Sequence, residues 1–194
     1  EKYIIDKNFS WLEPHPYVIL EHHLKNDIKV ICPVRDILEI LASWNRLCEN
    51  DKNNEYDKTI RQHDKTNRKM PDLRADFFMN MNSEENQGIM NCIENMKRVL
   101  YPQFKDNIML VDYDDLTGNT EETINNVYSF LGIEGYTHDF SNITNPHEYN
   151  DSWGVKNHHT IKSNIKRQDY DFEKLFSSDT IKKYSGLEFW KGVK

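Results

Sequence analysis

The chain has 194 residues, a length that suits one α/β domain and leaves no room for two full ones. It carries 25 Lys and Arg against 32 Asp and Glu, a formal charge of −7. This balance argues against a general binder of nucleic acids or of anionic membranes, because both need a surface rich in Lys and Arg. An anionic ligand must therefore be held by a few local cations, and each of the seven arginines becomes informative.

Membrane and metal signals are lacking in the sequence. No stretch approaches the 18 or more apolar residues of a membrane span, and the start EKYIIDKNFSW has no signal-peptide organisation. Cys32, Cys48 and Cys92 lack the spacing of metal ligands and predict free thiols in a reducing compartment. We therefore expect a cytoplasmic protein that binds no membrane, no nucleic acid and no metal.

The first fifty residues alternate short apolar runs with longer helical patterns. Residues 3–5 predict a strand and 14–25 a helix, while 28–34 is a continuous apolar run typical of a buried parallel strand. The strongest helical pattern covers 36–48, with one apolar stripe. This order of strand, helix, strand and helix predicts a parallel sheet with right-handed crossovers.

The pattern weakens over residues 49–82, which we interpret as a long functional or mobile loop. The other predicted elements are, in chain order, a helix over 83–100 with Leu100 facing inward, a strand over 108–113, a helix over 120–131 that Gly132 ends, a loop over 136–168 and a helix over 179–184.

Polar residues follow each predicted strand: 6–8 after the first, Arg35 and Asp36 after the second, and 112–115 after the third. Ligands of open parallel sheets collect at the carboxyl ends of the strands. Arg35 also precedes the strongest helix, whose free N–H groups and positive dipole end favour an anion.

A guanidinium at this position can grip a phosphate in a bidentate way. Ser43 lies within about 20° of Asp36 around the helix axis, two turns further on, so its hydroxyl can face a ligand lying along the helix. A salt bridge from Arg35 to Asp36 or Glu39 is the alternative that the residues alone leave open.

Three segments of the chain resemble the sulfotransferases that use 3′-phosphoadenosine 5′-phosphosulfate (PAPS). They are IIDKNFSW (4–11), VICPVRDILEILASW (30–44) and VDYDDLTGNTEETINNVYSFLGI (111–133). In that family a strand ends in an arginine, and a serine eight residues later helps it bind the 3′-phosphate; Arg35 and Ser43 have this spacing. The family's later Tyr-Glu-Asp-Leu-like and Phe-Leu-Gly segments are matched by residues 113–116 and 130–132.

The resemblance implies a three-layer α/β/α fold with a central parallel sheet, similar to the P-loop NTPases. It implies transfer of a sulfonate from PAPS to an acceptor hydroxyl or amine, with 3′,5′-ADP as the product and no metal. By the same resemblance Lys7 approaches the transferred sulfonate and Tyr113 lies near the adenine. A looser match over 153–162 places His159 and Lys162 near the nucleotide.

The chain also departs from the family pattern. The family begins with a strand, a Gly- and Thr-rich loop and a helix that grip the 5′-phosphosulfate, and nothing before Glu1 supplies them. We therefore interpret residues 1–194 as a single sulfotransferase-like domain that lacks this first unit. Some members carry a histidine as general base where this chain has Phe9, so His15 is a candidate base by proximity alone, and Asp6 is the other nearby titratable group.

The acceptor is open among a sugar, a peptide and a small metabolite, selected by the segments 49–82 and 136–168. Two other functions remain open at this point. One is a nucleotide or metabolite kinase of related fold, since phosphoryl transfer uses the same cationic positioning. The other is a catalytically silent nucleotide-binding or assembly module.

Overall fold

The computed structural model describes residues 5, 7, 13, 22, 28–81, 88–104, 106–144, 155 and 161–192. Within them the chain is mixed α/β, with two strands, β1 (Val30–Val34) and β2 (Ile108–Asp112). The strands are parallel, and their register pairs Val34 with Asp112. A parallel sheet is thus confirmed as a two-stranded sheet, and the three-layer arrangement stays a prediction.

Helices make up most of the rest of the described chain. They are α1 (Ile37–Asn50), α2 (Glu55–His63), α3 (Met70–Asn80), α4 (Ile89–Met96), α5 (Tyr113–Gly118), α6 (Thr120–Leu131), α7 (Phe172–Leu175) and α8 (Ser178–Tyr184), with 3₁₀ turns at Lys97–Leu100, Pro102–Phe104 and Phe189–Gly192. The strands predicted over 28–34 and 108–113 and the helices predicted over 36–48, 120–131 and 179–184 are confirmed to within two residues at each end. Gly132 ends α6 with φ of 67°, a left-handed conformation that favours glycine.

The core forms where α1 packs against α3. Ile37, Leu41 and Cys48 of α1 are buried, and Phe78 and Met79 of α3 join them in one apolar cluster. Each such large side chain contributes roughly 1.5–3 kcal/mol when fully buried. Because α1 follows β1 directly, this packing also fixes the helix that begins beside the end of the strand.

The interpretation of residues 49–82 as a loop is wrong, because the segment contains α2 and α3. The Asn54 side chain caps α2 by accepting a hydrogen bond from the Asp57 N–H at 2.8 Å. The sequence of α3 shows no clear helical periodicity of apolar residues, because its buried residues include Asp72 and Arg74 beside the apolar ones. A helix that buries charged side chains leaves no apolar stripe in the sequence.

Four other predicted segments have different outcomes. The helix expected over 83–100 is shorter: α4 ends at Met96, and Leu100, expected to face inward, has 53% of its surface exposed. The described residues within 136–168 lie in no helix or strand, as predicted. The strand predicted over 3–5 lies outside the described residues except for Ile5, which is in no strand. The helix predicted over 14–25 lies outside them except for His22, which is helical.

The cysteines are free, as expected from their spacing. Burial raises the pKa of Cys48 to about 12 and that of Cys32 to about 11. Both thiols therefore stay protonated at neutral pH and are poor nucleophiles.

Over the part of the chain that the structure describes, no helix has the length and apolar character needed to cross a membrane. The cytoplasmic location stays a prediction.

Arg74 joins three helices from inside α3. Its Nε and Nη2 donate to the two carboxylate oxygens of Asp57 in α2, at 2.8 and 2.6 Å. Its Nη1 donates to Asn45 Oδ1 in α1 at 2.6 Å. Arg74 and Asp57 are buried, and removal of one charge would leave the other without its partner in the interior.

We expect Arg74→Met to lower the free energy of unfolding by about 3–5 kcal/mol, because it leaves Asp57 buried and unpaired. Lys58→Met in α2 is the control, since its ion pair with Glu55 is exposed and such pairs contribute about 0–1 kcal/mol. Denaturant unfolding of both variants and the wild type is the measurement. Similar losses in the two variants would contradict the role given to Arg74.

Candidate functional site

The residues that follow β1 and β2 meet at one edge of the sheet. Since Val34 pairs with Asp112, Arg35 and Tyr113 come next on neighbouring strands. The guanidinium carbon of Arg35 lies 3.8 Å from the centroid of the Tyr113 ring and 5.7 Å from that of Tyr170. The Arg35 cation is thus held against an aromatic face, an arrangement that suits guanidinium better than ammonium.

The hydrogen bonds of Arg35 leave one buried donor unused. Arg35 Nε donates to Glu39 Oε2 at 2.9 Å, so the alternative of a salt bridge is observed, and it is made to Glu39. Arg35 Nη2 is buried and has no hydrogen-bond partner among the described residues. A buried N–H without an acceptor is costly, and an oxyanion at this position would satisfy it.

The first N–H groups of α1 are not available to a ligand. Asp36 Oδ1 accepts hydrogen bonds from the N–H groups of residues 38 and 39, at 3.0 and 3.3 Å. Glu188 Oε1 accepts one from the Ile37 N–H at 2.8 Å. The expectation that free N–H groups here favour an anion is therefore wrong, because two carboxylates of the chain already occupy them.

A second arginine lies beside Arg35. Arg167 Nη2 donates to Glu39 Oε1 at 2.8 Å, on the carboxylate oxygen that Arg35 leaves free. Its Nε donates to Asp114 Oδ1 at 3.0 Å and its Nη1 to Asp169 Oδ1 at 2.6 Å. The hydrogen bond to Asp114 and the negative charge of Glu39 raise the pKa of Arg167. At this edge of the sheet Arg35 and Arg167 thus pair with three carboxylates, those of Glu39, Asp114 and Asp169.

Ser43 lies on the same face of α1 as Glu39. It is half-buried, and its hydroxyl has no hydrogen-bond partner within the part of the chain that is described. Arg46 follows three residues later and donates to Gln168 Oε1 at 2.6 Å. Because Arg167 contacts Glu39 and Gln168 contacts Arg46, the segment 167–170 runs along the face that carries Ser43.

The predicted site residues are thus only partly brought together. Arg35 and Tyr113 are in contact, and Ser43 lies two turns along the helix that Arg35 precedes. Lys7 and Lys162 are exposed, and neither forms a hydrogen bond or ion pair with these described residues. His15 and His159 lie outside the described residues.

Sequence reasoning did not find Arg167 and Tyr170 as members of this site. Tyr170 follows a segment that we predicted as loop, and no motif marked it. Arg167 had one signal, because it is one of only seven arginines in an acidic chain. Glu39 entered the sequence reasoning only as a structural partner of Arg35, whereas the structure places it between two arginines.

Two cavities among the described residues have linings without Lys or Arg. A cavity of about 260 Å³ is bounded by Glu121 and Asn125 of α6 and by residues 135–138 and 140. Another, of about 230 Å³, lies between β2 and α6, with Asp112, Asp115 and Glu122 in its lining. Carboxylates in these linings disfavour a polyanionic ligand. Described His, Cys, Asp and Glu side chains form no group of three or more that could hold a metal ion.

Comparison with known families gives a match over most of the chain. The model of the family described as "Sulfotransferase domain" matches residues 11–187 of this chain, which is most of its length. No curated protein and no solved structure gives a significant match to the chain. The matched range includes β1, α1, β2 and the segment 167–170 that forms the edge described above.

Replacing Tyr113 tests the aromatic support of Arg35. We expect Tyr113→Leu to lower the free energy of unfolding by about 1 kcal/mol, the size of a partly desolvated cation–π contact. Tyr113→Phe keeps the ring and removes only the hydroxyl, which accepts a hydrogen bond from the Gln168 N–H at 3.2 Å. We therefore expect a smaller decrease in its free energy of unfolding. Urea unfolding of both variants is the measurement. A leucine variant as stable as the phenylalanine variant would contradict the assignment.

Proposed function

This chain belongs to the sulfotransferase domain family, and from that premise we propose that it transfers a sulfonate group from PAPS to an acceptor hydroxyl or amine. The observation that carries the proposal is the Arg35 guanidinium. It is fixed at a strand end against the Tyr113 ring, and its buried Nη2 has no acceptor among the described residues. A phosphate oxygen is the acceptor that a sulfotransferase would bring to this donor.

In this proposal Arg35 and Ser43 bind the 3′-phosphate of the nucleotide. Glu39 already uses Nε of Arg35, so the terminal Nη1 and Nη2 are the pair left for phosphate oxygens. The Ser43 hydroxyl is unused among the described residues and can donate to the same anion. Arg167 is close enough to Glu39 to supply a second cation. Two arginines suit a dianionic phosphate better than one.

The position of Tyr113 limits how it can contact the adenine. Arg35 lies over one face of the ring, with the guanidinium carbon 3.8 Å from the centroid. An adenine must therefore approach the opposite face or the ring edge. In the proposal Tyr113 supports the phosphate-binding arginine and borders the base.

PAPS supplies the sulfonate: its bond from sulfur to the bridging phosphate oxygen breaks as sulfur bonds to the acceptor, whose proton passes to a base, and 3′,5′-ADP is left. We assign Lys7 to stabilising the charge that develops on the bridging oxygen. Its exposure lets a ligand reach the ammonium group. His15 stays the predicted base, and His159 and Lys162 stay predicted contacts of the nucleotide.

The acceptor is proposed to be a sugar, a peptide or a small metabolite that contacts the segment 136–168. The segment 49–82 contributes less than a free loop would, because two of its arginines are already used within the fold. Arg68 pairs with Asp76 and Arg74 with Asp57, at 2.7 and 2.6 Å. Arg61 and His63 near the end of α2 are exposed and remain for an acceptor.

Titration with 3′,5′-ADP and its isomer 5′-ADP tests the phosphate site. We expect the wild type to prefer 3′,5′-ADP, and Arg35→Ala to lose about 10- to 100-fold in affinity for it, as charge-assisted hydrogen bonds of about 1.5–3 kcal/mol predict. Binding of 5′-ADP should change little in that variant, because it lacks the 3′-phosphate.

Arg61→Ala is the control, since it removes the same charge from an exposed position on α2. The phosphate assignment is wrong if the wild type binds the two isomers equally, or if the two alanine variants behave alike. Activity that needs ATP and magnesium would instead favour a kinase.

A further inference from the structure

Glu39 bridges the two arginines at the edge of the sheet. Its Oε2 accepts from Arg35 Nε at 2.9 Å and its Oε1 from Arg167 Nη2 at 2.8 Å. The two arginines are 132 positions apart in the chain, and one carboxylate holds both. Glu39 itself is 7% exposed. A buried carboxylate with both oxygens bound by guanidinium groups has little freedom to turn away.

The other two carboxylates on Arg167 are held differently. The Asp114 and Asp169 side chains are 60% and 85% exposed, against 9% for that of Glu39. Exposed ion pairs are screened by water and contribute little. An incoming oxyanion can therefore displace Asp114 and Asp169 from Arg167, whereas the bridge through Glu39 remains.

We propose that Glu39 is a positioning residue of the phosphate site, which holds Arg35 and Arg167 side by side so that both can bind one phosphate. The proposal rests on the function proposed above. Each guanidinium group binds one oxygen of the same carboxylate, and in the proposal one phosphate binds both groups through their other donors. Because Glu39 takes Nε of Arg35, the bridge also decides that Nη1 and the buried Nη2 form the free edge of the guanidinium.

The local position of Glu39 supports this role. It lies in the first turn of α1, whereas Arg35 precedes the cap residue Asp36, so the start of the helix brings the two side chains together. Its N–H is fixed by Asp36 in the cap of α1. An aspartate at this position would be one methylene shorter and would not reach both guanidinium groups from the same backbone.

Charge alone and positioning predict opposite effects for the loss of Glu39. Glu39 is negative, so by Coulomb's law its removal would strengthen the binding of a phosphate nearby. If Glu39 positions the two arginines, its removal weakens that binding despite the more favourable charge. Asp169→Asn makes the same change of charge at an exposed partner of Arg167 and is the matched control.

The experiment measures the ratio of the affinities for 3′,5′-ADP and 5′-ADP in the wild type, Glu39→Gln and Asp169→Asn. We expect the preference for 3′,5′-ADP to fall about tenfold in Glu39→Gln, as loss of one charge-assisted hydrogen bond predicts. In Asp169→Asn the preference for 3′,5′-ADP should equal or exceed that of the wild type. Partial unfolding would weaken the binding of both nucleotides by the same factor. The ratio of the two affinities therefore reports only the contribution of the 3′-phosphate.

A preference that is unchanged or larger in Glu39→Gln overturns the proposal. If that variant does not fold, Glu39→Asp is measured in its place, with a fall in the same ratio expected and an unchanged ratio overturning the proposal. A wild type that binds both isomers equally overturns the proposed function itself, and this inference with it. If the wild type prefers 3′,5′-ADP and the Glu39 variants keep that preference, only the inference about Glu39 is overturned.

Discussion

The parallel register that pairs Val34 with Asp112 is the constraint on which the candidate site depends. It brings the next residues of the two strands, Arg35 and Tyr113, to the same edge and lets guanidinium and ring stack at 3.8 Å. A slip of one residue would turn every side chain of a strand to the other face. The packing of α1 on α3 then holds the helix that Arg35 precedes, so core and site share one helix.

An acidic chain can hold an anion only by arranging its few cations closely. At the candidate site Glu39 contacts both arginines, whereas Asp114 and Asp169 contact Arg167 alone. The exposed fraction of the carboxylate side chain is 9% for Glu39, 60% for Asp114 and 85% for Asp169. A buried carboxylate fixes geometry because it has no competing water, whereas exposed ones exchange readily. The local excess of carboxylates is therefore compatible with an anion site, provided that the exposed ones can leave.

Much of the secondary structure near the site could be predicted because its signals are local. The apolar run of β1, the stripe of α1 and the left-handed stop at Gly132 each lie within a few residues of the element that they define. The helices α2 and α3 were missed for a physical reason, since Arg74 and Asp57 are buried as a pair. Pattern reasoning assigns charged residues to the surface, and it fails where two charges neutralise each other inside.

By itself the sequence determined the family resemblance, the parallel strands and the placing of Arg35 at a strand end, because these follow from order and spacing along the chain. Only the tertiary structure decided which groups surround that arginine. Glu188 occupies the start of α1 from 151 residues away, and Arg167 reaches Glu39 across 128 residues. No periodicity encodes such pairs, since a contact between side chains so distant in the chain depends on the path of every element between them.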